Sequence, residues 1–500
     1  MRAIMVMYDS LRRDVLPCFG NRKVPMPNFE KLAEHTVIFD NSYACSLPCM
    51  PARRELHTGR ANFLHRSWGP MEPFDDSMPE MLKKAGIHSH LSTDHYHYME
   101  DGGATYHPRF STWECFRGQE SDAWVGDCST KEQEFAPVLL NPQSQPKRLQ
   151  NIRKTSGWQN MANRTRMRSE GEYPQTLTFN SGIRFIEENL AYDNWYVQIE
   201  TFDPHEPFDS PEQYQASWFD PDQPFIPDWP PYAEAHEDQE TVEKMQKKYY
   251  ALAQFCDKSL GRILDLMDEH DMWKDTMLIV NTDHGFLLGE HGWWAKNSTL
   301  EYNEVAHTPL FIWNPKYQTA GEHRTALVQT IDLAPTILEF FGLPVPETMR
   351  GRTLGPVIER DEAVRRFGMY GVHGGPVCVT DGRFVYMRAV RNPEEKALEY
   401  TLMPAHMVGM FSLEEMRGMR VHEGFAFTKG CSVMEIPVMP IRNPGKLEHD
   451  ILFDLQSDPG QQKPYRDMAM EEKMEKALLD LLKDNEAPEY LYCRFGLTAE

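Results

Sequence analysis

Three apolar runs along the chain each end in residues able to do chemistry. Residues 3–8 are followed by Asp9, residues 195–200 by Asp203-Pro204-His205, and residues 277–280 by Asp283-His284-Gly285. Short, near-continuous apolar runs of this kind suit strands covered on both faces in a parallel sheet. Between them, apolar positions recur at helical spacing over 175–190 and over 241–270. Strands alternating with helices predict an α/β fold with crossover connections. Ligands in such folds bind beyond the carboxyl ends of the strands, which gathers Asp9, His205, Asp283 and His284 on one edge.

The pattern changes after residues 330–339. Pro344, Pro346, Gly351 and Gly355 mark a long connection. Beyond it come shorter strand-like pieces at 377–380 and 384–387, then a charged helix at 471–484. The expected organisation is a catalytic α/β domain over 1–360 and a smaller α+β domain over 361–500, the latter with an antiparallel sheet and a terminal helix.

Cys49-Met50-Pro51-Ala52-Arg53, followed by Thr58-Gly59-Arg60, is the densest chemical pattern. Pro51 reads as the first residue of a short helix, where its missing N–H has no partner to lose. Arg53 then falls one turn after Cys49 on the same face. The helix N-terminus adds partial positive charge and backbone N–H groups, so an anion is favoured beside residue 49.

Composition narrows the class. The 500 residues exceed one ordinary core, and 41% hydrophobic with 25% charged residues is a soluble globular profile. No apolar run is long enough to cross a bilayer, and the opening segment reads as a buried strand rather than a signal peptide, so the expected location is cytoplasmic. Nine cysteines without regular spacing give no disulfide framework, and Cys45 and Cys49 lack the second pair a zinc site would want. A net charge of −23 argues against nucleic acid and anionic membranes as partners, so an anionic substrate would need local positive charge. Lys147, Arg148, Arg153, Lys154, Arg164, Arg166 and Arg168 form an acid-free stretch that either supplies such charge or is a solvated connection.

The spacing C-x-P-x-R with a following T-G resembles the signature of the formylglycine-dependent sulfatases, within the alkaline phosphatase-like superfamily. Thr282-Asp283-His284-Gly285 with Leu288-Gly289-Glu290-His291-Gly292 resembles that family's SDHGxxLGxHG block, and residues 451–459 resemble its LYDLxxDP element. The resemblance implies a large mixed, mostly parallel sheet flanked by helices. It also implies that a sulfatase-maturing enzyme converts Cys49 to formylglycine, the nucleophile. Asp9, Cys49, Asp283 and His284 would then hold a divalent metal. Calcium is usual in the family, and the softer imidazole of His284 leaves manganese open. By the same resemblance Arg53 stabilises the nucleophilic oxygen, while Lys296 and His205 meet the sulfate and the leaving-group oxygen. The implied substrate is a sulfated sugar, a glycosaminoglycan fragment among the options.

Two departures leave the substrate open. Many sulfatases carry paired aspartates after the first strand; here the pair is Asp9-Ser10, which lowers ligand charge. That keeps a phosphonate monoester or phosphodiester hydrolase of the same superfamily as the alternative. In the loop Leu91–Tyr98, Asp94 stands where the family places a lysine, and His97 or His95 must take the histidine's part. We read His97 as the catalytic and substrate-binding residue, and His88, His90 and His95 as incidental. His373 is a further candidate to reach the cleft from the smaller domain.

Overall fold

The computed structural model describes residues 1–128, 138–141, 147–220, 222–437 and 447–498, with backbone alone for 147–154. Its main feature is an eight-stranded sheet. In chain order the strands are β1 (Arg2–Tyr8), β2 (Val37–Phe39), β3 (His88–Thr93), β4 (Thr112–Cys115), β5 (Trp195–Thr201), β6 (Thr276–Thr282), β7 (Leu310–Trp313) and β8 (Glu322–Arg324). Their spatial order is β8-β2-β7-β6-β1-β5-β3-β4. Only β7 runs against its neighbours, so the sheet is mixed and mostly parallel, the α/β architecture expected from the alternation.

The three apolar runs become the centre of this sheet. Every residue of β1, β5 and β6 is buried. Side chains alternate across a strand, and β1 serves two cores accordingly. Ile4, Val6 and Tyr8 pack on one face, with Leu252, Leu260 and Ile263. Ala3, Met5 and Met7 pack on the other, with Met50, Leu56 and Leu333. Register then fixes the functional edge. Tyr8 pairs with both Thr201 and Thr282, and Thr93 with Glu200, so residues 9, 94, 202 and 283 leave the sheet side by side.

The helices follow the patterning with small boundary changes. The motif segment forms α1 (Cys49–Thr58), followed by α2 (Pro174–Glu188), α3 (Gln239–Glu269), α4 (Leu333–Phe340) and α5 (Met468–Asp484). Capping sets the ends of the long ones: Asp238 accepts from Thr241 N at 2.8 Å, and Asp467 from Met470 N at 3.1 Å. Helix α1 starts at Cys49, two residues before the start that Pro51 alone would suggest. Its first intrahelical bond runs from Ala52 N to Pro48 O at 3.1 Å, so Pro51 still occupies a first-turn position that needs no N–H. Gly59 closes the helix in the left-handed region at φ 58°, its N–H donating to Glu55 O at 2.7 Å, which accounts for the glycine of the T-G pair.

All ten residues of α1 are buried, although Arg53, Arg54, Glu55 and His57 carry charged or strongly polar side chains. Each therefore needs a partner. Arg54 makes a bidentate pair with Asp75, at 2.9 Å twice. Glu55 accepts from Ser46 N at 2.5 Å and Cys45 N at 3.3 Å and from the Thr330 hydroxyl, and burial still pushes its carboxyl up to about 8. His57 sits edge-on to Tyr106 and Phe110, with Nδ1 2.9 Å from Ser77 Oγ. Burial holds its imidazole at about 3, against an ordinary 6.5. The unfolded chain therefore takes up this proton first, so the stability His57 contributes is complete above about 6.5 and is lost as pH falls toward 3. His57→Gln is accordingly expected to flatten the acid limb of a plot of Tm against pH between those values, relative to the wild type. An unchanged slope would refute a buried neutral His57.

A second, five-stranded sheet holds β9 (Gly368–Val372), β10 (Val377–Thr380), β11 (Phe384–Arg388) and β12 (Ile451–Asp454), in the order β12-β11-β10-β9. These pairs are antiparallel. Helix α5 packs on them through Met474, Leu478 and Leu482, beside Val377 and Val379. The fifth strand is Ser46–Leu47, which pairs parallel to β9 through Gly371 and Val372. The loop that delivers Cys49 is thus built into the second sheet.

Candidate active site

The carboxyl edge of the main sheet brings four potential ligands together. Asp9 follows β1, Asp283 and His284 follow β6, and Cys49 opens α1; one ligand atom of each lies within 4.8 Å of the others, all buried. Cys49 Sγ is 3.2 Å from His284 Nε2. His284 Nδ1 donates to Gly285 O at 2.8 Å, which leaves the Nε2 lone pair facing the cluster.

Arg53 is the structural key. It is fully buried and touches three carboxylates: Nε to Glu200 at 2.6 Å, Nη1 to Asp283 at 2.7 Å and Nη2 to Asp9 at 3.0 Å. Nη1 also donates to Cys49 O at 3.0 Å, one helical turn back. Glu200 in turn accepts from the Tyr98 hydroxyl at 3.0 Å and Gln198 Nε2 at 2.8 Å.

Electrostatics separate the two aspartates. Burial would raise both, but Arg53, His205 and His95 outweigh it at Asp9 and hold that carboxyl well below its usual range. Burial together with the charge of Asp9 pushes Asp283 up to about 8. Burial, with Asp9 again, pushes the Cys49 thiol well above its ordinary value. A neutral thiol is a weak nucleophile, so the unmodified side chain is poorly equipped for attack.

Lys296 reaches the cluster from the other side. Its Nζ donates to Ser10 Oγ at 3.1 Å and lies 3.6 Å from Glu206 Oε2. Ser10 Oγ donates to Asp9 Oδ1 at 2.8 Å, and Ser10 N to Asp283 Oδ1 at 3.1 Å. Ser10 thereby links the lysine to both aspartates, in place of the second carboxylate common in the family. It does so in the left-handed region, at φ 65°, a conformation costing an ordinary residue about 1–2 kcal/mol.

His205 is buried beside Phe202, ring centroids 4.1 Å apart, and Nδ1 donates to Glu206 O at 2.5 Å. Burial lowers its affinity for a proton on balance, with Lys296 adding to the effect and Glu206 and Asp9 opposing it. In the third loop His95, treated as incidental above, is the histidine against the cluster: Nε2 lies 3.4 Å from Asp9 Oδ2, and neither ring nitrogen has a hydrogen-bond partner. His97 stands one ring further out, 5.2 Å from His95, with Nδ1 bonded to Glu100 at 2.6 Å and its edge against Trp68. Asp94 points beneath the site, accepting from Phe202 N and Gln119 at 2.8 Å each.

Other candidates lie elsewhere. His373 Nδ1 donates to Phe63 O at 2.8 Å, where it serves packing between the sheets. His90 stacks on Phe185 and bonds Thr112, and His88 likewise bonds Thr112. Most of the basic stretch lies on a helix, Lys147–Arg164, with Arg166 and Arg168 exposed beyond it. The side chains of Lys147, Arg148, Arg153 and Lys154 lie outside the described residues, and Arg164 is half-buried and pairs with Asp228 at 2.8 and 2.9 Å. All nine cysteines are free. Among the described residues no helix is long and apolar enough to cross a membrane.

This constellation has a counterpart in known proteins: the sulfatase family model matches residues 2–343. The chain belongs to the sulfatase family. It is a sulfuric ester hydrolase with an alkaline phosphatase-like fold. The sulfatase is 22% identical to an arylsulfatase of Clostridium perfringens over 406 residues, covering 74% of this chain and 81% of the relative. It is 23% identical to an N-acetylglucosamine-6-O-sulfatase of Bacteroides thetaiotaomicron over 407 residues, covering 72% and 71%. Its fold is similar to the crystal structure of a phosphonate monoester hydrolase of Agrobacterium radiobacter, with TM-score 0.67 and 18% identity over 97% of this chain and 96% of that one.

The family implies a metal, and the sulfatase's donors fit one. Among the described residues Arg53 and Lys296 are the permanent cations paired with Asp9, Asp283, Glu200 and Glu206, so ionising all four carboxylates would leave an excess of two negative charges in a buried site. Asp9 Oδ2 accepts no hydrogen bond. A divalent cation among Asp9, Cys49, Asp283 and His284 would balance that charge and allow both aspartates to ionise together.

Sequence reasoning passed over Glu200 and Glu206 and set His95 aside. A signal existed for the first: a glutamate closing an otherwise apolar buried strand must be paired. Nothing in the loop sequence distinguishes His95 from His97.

Proposed function

We propose that this sulfatase hydrolyses the sulfate ester of a sulfated carbohydrate, a glycosaminoglycan fragment among the candidates, with position 49 as a formylglycine nucleophile. The observation that carries the proposal is the meeting of Cys49, Asp9, Asp283 and His284 under Arg53 and Lys296. The N-acetylglucosamine-6-O-sulfatase relative supports a sugar as the leaving group. A divalent metal, manganese or calcium, would supply Lewis-acid polarisation and charge balance there.

The chain's own residues supply the rest. Lys296 presents a buried cation to the sulfate oxygens, and Arg53 fixes the two aspartates and the first turn of α1. Nδ1 of His205 is committed to Glu206, which makes Nε2 the nitrogen available to protonate the leaving oxygen. His97, at the rim beside Trp68, contacts the sugar, and His95 steadies Asp9. A maturing enzyme acting on Cys49 is the partner this reading requires. The division into a 1–360 catalytic domain and a 361–500 domain belongs to the same proposal, with Ser46–Leu47 tying one to the other.

Ser10 favours a second reading. With one carboxylate fewer and an imidazole at position 284, the site also suits a phosphonate monoester or phosphodiester, and the phosphonate monoester hydrolase shares the fold. Turnover of sulfated mono- and disaccharides against phenyl phosphonate separates the two. Sulfate release at least about 10-fold faster in kcat/KM supports the first reading, a difference of roughly 1.4 kcal/mol in transition-state binding. Faster phenyl phosphonate turnover overturns it. Chelation is expected to abolish either activity, with recovery on adding Mn2+ or Ca2+; activity indifferent to chelation would count against the metal assignment.

A further inference from the structure

Glu206 follows His205, is fully buried, and has no part in the ligand cluster. Its Oε2 lies 3.1 Å from His205 Nδ1 and 3.6 Å from Lys296 Nζ. The hydroxyl of Tyr232 also faces this carboxylate and, with His205 and Lys296, favours its ionised form. The same glutamate therefore stands between the two groups that are asked to carry positive charge toward the substrate.

That position has a chemical consequence. A histidine that is both buried and close to a lysine binds its proton weakly, because burial and a like charge each disfavour the imidazolium. The charges acting on His205 are Glu206, Lys296, Asp9 and Glu120. Glu206 is the one in contact with its ring. Placed between His205 and Lys296, its negative charge offsets part of what burial and the lysine cost the imidazolium.

We propose that Glu206 is a positioning residue that favours the protonated form of His205 beside Lys296 and so promotes protonation of the leaving group. In the step concerned, the nucleophilic oxygen of residue 49 bonds to sulfur as the bond from sulfur to the leaving oxygen breaks with its electron pair on that oxygen. His205 Nε2–H gives its proton to the same oxygen and becomes neutral, while Nδ1–H stays on Glu206. The inference rests on the reading of His205 as general acid, but not on the identity of the sugar.

The test uses aryl sulfates whose phenols span a wide range of acidity, with matured, metal-loaded enzyme. Glu206→Gln keeps the size and removes the charge. For the least acidic phenol kcat is expected to fall about 100-fold, the low end of what general acid catalysis contributes, and for the most acidic less than about 10-fold. The alkaline limb of the kcat profile should move to lower pH. His205→Gln should show the same steepened leaving-group dependence, and adding Glu206→Gln to it should steepen it no further. Equal losses across the series with an unmoved alkaline limb would reduce Glu206 to a packing role and overturn the proposal. So would additive effects in the double variant. A His205→Gln enzyme without leaving-group dependence would instead remove the general-acid reading itself. Should Glu206→Gln fail to fold, Glu206→Asp keeps the charge and withdraws it by one methylene. It is then expected to steepen the dependence less than His205→Gln does, and a dependence as steep as that of His205→Gln would overturn the proposal.

Discussion

Cys49→Ala is expected to reduce sulfate release by at least about 10⁴-fold, the scale seen when an enzyme loses its nucleophile. No other group takes its place. Cys49 is the thiol in the cluster of Asp9, Cys49, Asp283 and His284, and the neighbouring hydroxyl of Ser10 is tied to Asp9 and Lys296. The fold should survive, because Cys49 is a small first-turn residue and alanine is the best helix former. Initial rates on an aryl sulfate and a thermal melt check both halves. A variant within 10-fold of the wild type would mean that position 49 is not the nucleophile. Mass spectrometry of the wild-type peptide adds an independent reading, since conversion of the thiol to an aldehyde changes its mass.

Arg53→Met is expected to be the most destabilising change in the site. Removing the guanidinium leaves Asp9, Glu200 and Asp283 buried without the cation that joins them. Breaking a buried ion pair by deleting one partner costs about 3–5 kcal/mol. Part of the loss should return when Glu200→Gln is added, because one of the stranded charges is then gone. The two positions should show an interaction energy of about 1–3 kcal/mol, which denaturant titration of the single and double variants measures. A loss below about 1 kcal/mol for Arg53→Met would mean that the three carboxylates do not depend on it.

The two variants also separate the two functions of the motif. On the proposed reading Cys49 bears on chemistry with little effect on stability. Arg53 bears on both, since the side chain that organises the ligands also neutralises them. A catalytic reading of Arg53 from activity loss alone would therefore be confounded, and the stability measurement has to accompany it.

Much of the site was legible in the sequence because its parts are short and local. The offset from Cys49 to Arg53 is one helical turn, Gly59 has a conformation that favours glycine, and Asp283-His284 directly follow a buried strand. Local geometry is encoded in neighbouring residues, so spacing reveals it. The large sheet was legible for a related reason: strands buried on both faces must be apolar throughout, and β1, β5 and β6 are nearly so.

Contacts between distant segments were not legible. Glu200 and Arg53 are 147 positions apart, and only strand register brings them to 2.6 Å. His95 and His97 are equivalent by composition, and the turn after β3 decides that His95 meets Asp9 while His97 bonds Glu100. Ser10 read as a missing ligand; the fold makes it the link from Lys296 to the aspartates. The pairing of Ser46–Leu47 with β9 left no mark either, because two residues carry no pattern.

The sequence by itself determined the candidate site residues and the elements that carry them, because side-chain identity and helical or strand spacing are properties of short stretches. Tertiary structure alone decided which carboxylates Arg53 neutralises, which histidine faces Asp9, and that Glu206 lies between His205 and Lys296. Charge interactions depend on distance in space, and distance between remote segments exists only once the sheet has set its register.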